Sequence, residues 1–338
     1  MTAAHDPALP VPRNTSSLLV LRNGATVLEL GDTTRASYVA SVRKSLLSIL
    51  FGIQVEAGMV SLDATLEELG VDDVGGLLPL ERTARLRDLL TSRSGVYHPP
   101  SSPGSDEHAF PPRGTKAPGQ HFLYNNWDFN AAGAIFEKVS GVTVFEAFEK
   151  HLAGPLGFED YEPTRQLMLG DASKSAFPAY HFFLSARDLA KIGLLMAAGG
   201  QWEGRQRVPQ EWIQASVASH VMREDMAAGT GFGNCDYGYL WWLPRERNPR
   251  WDGAFLAAGN YGQFLLVLPA INSVIVHRRF VSDNFAIARN TRPAAALTAP
   301  APVTHGEFMD LARALVDGPL ASQVATERTP HDAGPRLC

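Results

Sequence analysis

Residues 17–30 read SLLVLRNGATVLEL, two apolar, β-prone runs on either side of Asn23-Gly24, a pair that favours a tight hairpin turn. Immediately downstream, SYVASVRKSLLSILFGIQVEAG changes period. Its apolar residues recur every three to four positions and Gly58 supplies a stop, so a helix is expected from about Ser41 to about Ala57. Residues 59–95 read as short helices and turns. Residues 98–120 are rich in Pro, Gly and Ser and predict a long surface loop, of the kind that often borders a binding site. Helical spacing returns in AAGAIFEKVSG up to Gly141, over 143–152, and over 185–199 with Ser185 as N-cap. From about residue 236 the pattern turns strand-like: YGYLWWL, GAFLAAG, QFLLVLP and SVIVHRRF, with a turn at Pro269–Asn272. An Ala/Pro-rich linker at 293–303 precedes a closing helix over 305–317.

Strands at both ends of the chain and helices between them predict an α+β fold. One antiparallel sheet is built from the N- and C-terminal segments and flanked by helices, with a mainly helical domain inserted. The expected division is a flexible tail over 1–15, an α/β domain from 16–40 plus 190–338, and a helical domain over 41–189. The active site is expected at their interface. A length of 338 residues suits about two domains, and 45% hydrophobic against 19% charged residues is enough for a sizeable core.

Charge and cysteine content narrow the function classes. Thirty basic against 35 acidic residues give a net charge of −5, which argues against a nucleic-acid partner. The two cysteines, Cys235 and Cys338, have no Cys-x-x-Cys spacing, so neither a disulfide framework nor a cysteine-rich zinc site is expected. The first basic residue is Arg13, in a proline-interrupted stretch unlike a secretory signal. Apolar runs such as Phe264–Leu268 are too short to cross a bilayer. The expectation is a cytoplasmic protein with no membrane partner; its oligomeric state is left open.

The chemistry centres on Ser41-Val42-Arg43-Lys44. Three residues are nearly one helical turn, so Ser41 and Lys44 share a face, and Ser41 sits at the positive end of the helix dipole. A neutral lysine amine there could take the serine proton. The motif alone reads equally well as a serine N-cap with a solvated lysine. Two further elements follow in order: Tyr124-Asn125-Asn126 ahead of a helix, and Ala257-Ala258-Gly259-Asn260-Tyr261-Gly262-Gln263 between two strands. Taken singly, Tyr124 reads as a packing tyrosine, Asn126 as a cap and 259–262 as a hairpin turn. There is no His-Glu-x-x-His or Gly-x-Ser-x-Gly, and neither a metal nor a cofactor is expected.

In this order the elements resemble the serine β-lactamase and penicillin-recognising superfamily, most nearly its class C β-lactamase-type esterases and amidases, including the 6-aminohexanoate-dimer hydrolase group. Further phrases fit over about residues 17–316: RDLLTSRSG from Arg87, SARDLA from Ser185 and GGQWEG from Gly199. The resemblance implies that Ser41 is the acylated nucleophile and that Lys44 and Tyr124 transfer its proton. It also implies that Asn126 holds the lysine and that the N–H groups of Ser41 and Asn260 form an oxyanion hole. Gly259 would let its strand approach substrate closely. Tyr180, His181 and Tyr261 would line the substrate pocket, and Trp127 and Asp128 would support the Tyr124 element. Of Trp241 and Trp242, alternation puts one ring in the core and the other outside.

The chain departs from the family pattern at Ala257-Ala258, where many relatives carry Lys or His followed by Thr or Gly. Neither alanine can bind a carboxylate, so the expected substrate is a small ester or amide with no carboxylate beside the scissile bond. β-Lactams should then be poor substrates, unless Arg278 or Arg279 reaches back; the simpler expectation is that both face solvent. Two alternatives stand beside a hydrolase: an acyltransferase of the same fold passing the acyl group to an amine or alcohol, and a non-catalytic ligand-binding protein.

Overall fold

The computed structural model describes residues 9–102, 107–227, 231–291 and 298–318. Seven strands form one antiparallel sheet: β1 (Ser17–Arg22), β2 (Ala25–Gly31), β3 (Cys235–Tyr237), β4 (Trp242–Pro244), β5 (Phe255–Gly259), β6 (Gln263–Leu268) and β7 (Ser273–Arg278). Their order is β2-β1-β7-β6-β5-β4-β3, so the N-terminal hairpin docks on the last strand, with Ser17 opposite Arg278 and Arg22 opposite Ser273. The hairpin turns at Asn23 and Gly24, both at positive φ (52° and 78°), as a two-residue turn between right-twisted strands requires.

Both faces of the sheet are covered, which explains why its inner strands read as continuous apolar runs. Leu265 and Val267 of β6 face one core, with Val274 and Val276 of β7 and Leu19 and Leu21 of β1. Helices α1 (Val42–Glu56), α2 (Asn126–Ser140) and α3 (Ala186–Ala197) contribute to that side. Leu266 and Leu268, Ile275, Leu18 and Val20 face the opposite core, closed by Phe308, Leu311 and Leu315 of the last helix. A shorter helix, α4 (Asp283–Thr291), follows β7, and α5 (His305–Asp317) is that last helix. Ser185 caps α3 by accepting from Asp188 N, and Gly141, at φ 72°, ends α2. Among the described residues, no helix is long and apolar enough to cross a membrane.

Several sequence expectations need correction. The tail expected to be flexible is docked where it is described: Leu9 is buried in the α5-side core and Thr15 pairs with His277, while residues 1–8 lie outside the described residues. The surface loop begins as a buried one. His98, Ser101 and Ser102 are buried because partners satisfy them: His98 bonds the Val74 carbonyl, Ser101 the Phe177 carbonyl and Ser102 the Asn290 side chain. YGYLWWL is not one strand. Leu240, at φ 64°, breaks it between β3 and β4, and its N–H and carbonyl instead bond Leu90 O and Ser45 Oγ. Both tryptophans are buried, Trp241 in one core and Trp242 in the other.

Arg278 is likewise not at the surface. It is 2% exposed and donates to Gln263 Oε1 (2.7 Å), Leu184 O (2.6 Å), Ser37 O (2.9 Å) and Ser37 Oγ (2.8 Å). Burial pushes the guanidinium down to about 9, still charged at neutral pH. It fastens β7 to the short pair Ser37–Tyr38 and Phe183–Leu184 and does not serve substrate. Arg279 donates to the Ala301 and Phe280 carbonyls.

His277 gives the fold a pH dependence. Its Nδ1 lies 2.8 Å from Gly262 O and its Nε2 lies 2.9 Å from Thr15 Oγ1, so the neutral ring donates at Nδ1 and accepts at Nε2. Burial pushes it down to about 4 from the ordinary 6.5. The unfolded chain therefore takes up this proton first as the pH falls. The stability is fully present above about pH 6.5 and drains away toward pH 4, by at most about 1.4 kcal/mol per pH unit from this group. Thermal melts from pH 7 to pH 4.5 should show falling Tm, with a shallower slope in His277→Gln; an unchanged slope in that variant would assign the effect elsewhere.

Candidate active site

Three chain segments converge on Ser41. The first is the start of α1. Val39 is bonded to Phe182 O, and Ala40 takes φ 49°, a left-handed conformation that an alanine adopts only under constraint. Ser41 then enters the helical region (φ −73°, ψ −8°) as the N-cap of α1, with no side-chain capping bond to occupy its hydroxyl. Lys44 follows one turn later on the same face.

The second segment leads into α2. Asn125, not Asn126, is the cap: its Oδ1 accepts from Trp127 N and its Nδ2 donates to Val96 O. That fixes Tyr124 just outside the helix. Trp127 donates to Asp73, and Ser94 donates to Asp128 across 2.5 Å. Burial holds the Asp128 carboxyl well above the usual range. Both residues thus brace the turn, as expected of them.

The lysine joins the two segments. Its Nζ stands 3.0 Å from Ser41 Oγ and 2.8 Å from Tyr124 Oη, and Lys44 is 2% exposed. The amine also lies 4.1 Å from the centroids of both the Tyr124 and Phe129 rings, whose faces attract a cation. Tyr124 is held on its other side by Trp242, with ring centroids 5.4 Å apart and planes 29° from parallel. A solvated lysine beside a plain N-cap is therefore not what the chain builds.

The third segment is the end of β5. A Cβ on Gly259 would stand 2.5 Å from Val39 O and 3.0 Å from Ser41 N, so only glycine lets this strand lie against the start of α1. The approach sets Asn260 beside Ser41. A cleft of about 290 Å³ opens there, bordered by Ser41, Tyr124, Asn260 and Tyr261 and walled by Phe232, Trp242, Val303 and His305. Sequence reading missed that wall. Its residues come from three distant segments, and none carries a motif.

The other expected site residues divide. Asn126 borders a small pocket together with Ser41, and its amide donates to Ser102 O at 3.3 Å. His181 is buried and borders the same small pocket. Tyr261 borders both cavities and its hydroxyl accepts from Arg289 Nε at 2.7 Å. Tyr180 does not line substrate space. It is fully buried, with the Arg43 guanidinium 4.4 Å over its ring, and belongs to the core. The period-2 rule explains why: along Ala179–His181, His181 points to the pocket and its neighbour must point away.

Residues 13–291 match the sequence model of the beta-lactamase family, and the chain belongs to that family. Its similarity to the 6-aminohexanoate-dimer hydrolase of Paenarthrobacter ureafaciens is 28% identity over 166 residues. That match takes in 48% of this chain and 40% of the relative, so the aligned part is less than half of either protein. Among solved structures, a penicillin-binding protein homologue from Caulobacter crescentus superposes with a TM-score of 0.61 at 14% identity, covering 89% of this chain and 92% of that one. The octameric penicillin-binding protein homologue from Pyrococcus abyssi gives 0.57 at 20% identity, covering 84% and 76%. At these identities the two structures share the fold with this chain.

Proposed function

We propose that this protein is a serine hydrolase that cleaves a small ester or amide through an acyl-serine intermediate. The observation that carries the reading is the single buried amine within hydrogen-bond reach of both Ser41 Oγ and Tyr124 Oη. Ser41 attacks the substrate carbonyl while the Lys44–Tyr124 pair takes its proton as a unit and returns it to the leaving group. The oxyanion develops beside the Ser41 and Asn260 N–H groups, at the positive end of a 15-residue helix. Water enters by the reverse path and releases the acid. The leaving group occupies the cleft that Tyr124 borders. With Trp242, Phe232 and Val303 for walls and Ala258 at its base, that cleft suits an uncharged, apolar leaving group.

A fluorophosphonate probe tests the reading. Intact-mass analysis should show one adduct on the wild-type chain and none on Ser41→Ala; labelling of the variant at the wild-type rate would remove Ser41 as nucleophile. The same protein should turn over a short-chain nitrophenyl ester far better than a chromogenic cephalosporin. An amine added to that assay reports whether the acyl group can also pass to a nucleophile other than water.

A further inference from the structure

Two spaces open beside Ser41, and they are very unequal. The cleft that Tyr124 borders holds about 290 Å³; the other, bordered by Ser102, Asn126, His181, Tyr261 and Asn290, holds about 20 Å³. Side chains that hold one another wall the small one. Ser102 Oγ donates to Asn290 Oδ1 at 2.6 Å, and the Asn126 amide donates to Ser102 O at 3.3 Å. Asn290 Nδ2 in turn donates to Ala286 O at 2.7 Å and to Tyr38 Oη at 3.3 Å. Ser102, His181 and Asn290 are each 2% exposed, so close-packed neighbours stand behind the lining and it has nowhere to retreat.

Tyr261 stands on the border of both spaces. Its φ of 71° is a left-handed conformation that a tyrosine takes only when held there. Its carbonyl accepts from Val303 N at 3.1 Å, its hydroxyl accepts from Arg289 Nε at 2.7 Å, and its ring packs edge-on against Phe285 with centroids 5.5 Å apart. One water-sized group needs about 10–15 Å³ by this measure, so a space of about 20 Å³ admits a methyl group and stops there. The proton returned through Tyr124 places the leaving group in the larger cleft, which gives the acyl chain the smaller space.

We propose that Tyr261 limits the acyl group to acetyl, so that the substrates are acetyl esters or acetyl amides of apolar alcohols or amines. The inference rests on the hydrolase reading above. A bond forms from Ser41 Oγ to the acetyl carbonyl carbon as the bond to the leaving oxygen or nitrogen breaks, and the serine proton passes through Lys44 and Tyr124 to the leaving group. Water then attacks the acetyl-serine by the same exchange, and acetate departs. A longer acyl chain must push Tyr261 off its contacts or turn out of the pocket. Either course displaces the carbonyl from the Ser41 and Asn260 N–H groups. One methylene more or less in a fitted pocket ordinarily changes kcat/KM by about 10–200-fold.

The experiment measures kcat/KM for nitrophenyl acetate, butanoate and hexanoate, a series with one leaving group and nearly equal intrinsic reactivity. The wild-type chain should favour acetate over butanoate by at least about tenfold and turn over hexanoate more slowly still. Tyr261→Gly, which suits the positive φ, should raise kcat/KM for hexanoate by at least about tenfold over wild type, a gain that no folding defect produces. Tyr261→Phe keeps the ring and should keep the preference for acetate. Should Tyr261→Gly fail to fold, the wild-type chain decides: intact mass should show the nitrophenyl ester of a methylphosphonate reacting at least about tenfold faster than that of a hexylphosphonate. Turnover that is flat or rises with acyl length, or hexanoate turnover that Tyr261→Gly leaves unchanged, overturns the acyl limit and leaves the hydrolase standing. No ester turned over and no labelling by the fluorophosphonate overturns the hydrolase, and the acyl limit with it.

Discussion

Replacing Lys44 by alanine is expected to lower kcat/KM by about 10³-fold, Tyr124→Phe by a similar factor, and the double variant by no more than the worse of the two. The reason is geometric. One amine lies 3.0 Å from Ser41 Oγ and 2.8 Å from Tyr124 Oη, so the two side chains join in one relay for the serine proton. Breaking that relay at either member removes the same transfer, and a second break has nothing further to remove. Residual activity comes from the oxyanion donors and binding, which both substitutions spare. Single-turnover kinetics on one ester with all four proteins give the answer. Losses in activation free energy that add across the cycle would mean that lysine and tyrosine act in separate steps.

Gly259→Ala is expected to cost about 10²-fold in kcat, with a smaller change in KM. Its methyl would meet the Val39 carbonyl oxygen at 2.5 Å and Ser41 N at 3.0 Å, both backbone atoms that cannot swing aside. Strand β5 must therefore move off the start of α1, carrying the Asn260 N–H away from the oxyanion. Loss of one such donor is ordinarily worth about 10²–10³ in rate. A fluorophosphonate should still label the variant, more slowly, because Ser41, Lys44 and Tyr124 remain together. Wild-type kcat in this variant would show that the strand does not hold the oxyanion.

Much of the frame is legible because it is periodic. The two-residue repeat of β1, β6 and β7, the helical spacing of α1 and α3, and the Asn23-Gly24 turn each state a local preference that packing then confirms. Ser41, Lys44 and Tyr124 are legible through their order along the chain. What escapes is whatever tertiary contact overrides a local signal. Leu240 interrupts an apparently continuous strand because its backbone is taken by Leu90 and Ser45. Arg278 looks like a surface residue by type, yet carbonyl groups and Gln263 Oε1 receive it in the interior. Arg43 stands inside the most visible motif of the chain, and the motif gave no hint that it is buried. It bonds Asn130 and lies over the Tyr180 ring, and nothing in the spacing Ser-x-x-Lys brings those together.

The pairing of β1 with β7 also sets a timetable for the newborn chain. The first hairpin leaves the ribosome with its inner edge open, and the strand that covers that edge lies about 260 residues downstream, roughly 13–50 s of synthesis at about 5–20 residues per second. Throughout that interval Leu18, Leu19, Val20 and Leu21 have no sheet to join, and α1 has no finished floor to rest on. Ser41 and Lys44 are made early but cannot be positioned until Gly259 and the strands after it arrive. The cluster around Ser41 is thus completed only after Gly259 and the strands that follow it have been made, and the exposed hairpin is the segment for which a holding chaperone would compete.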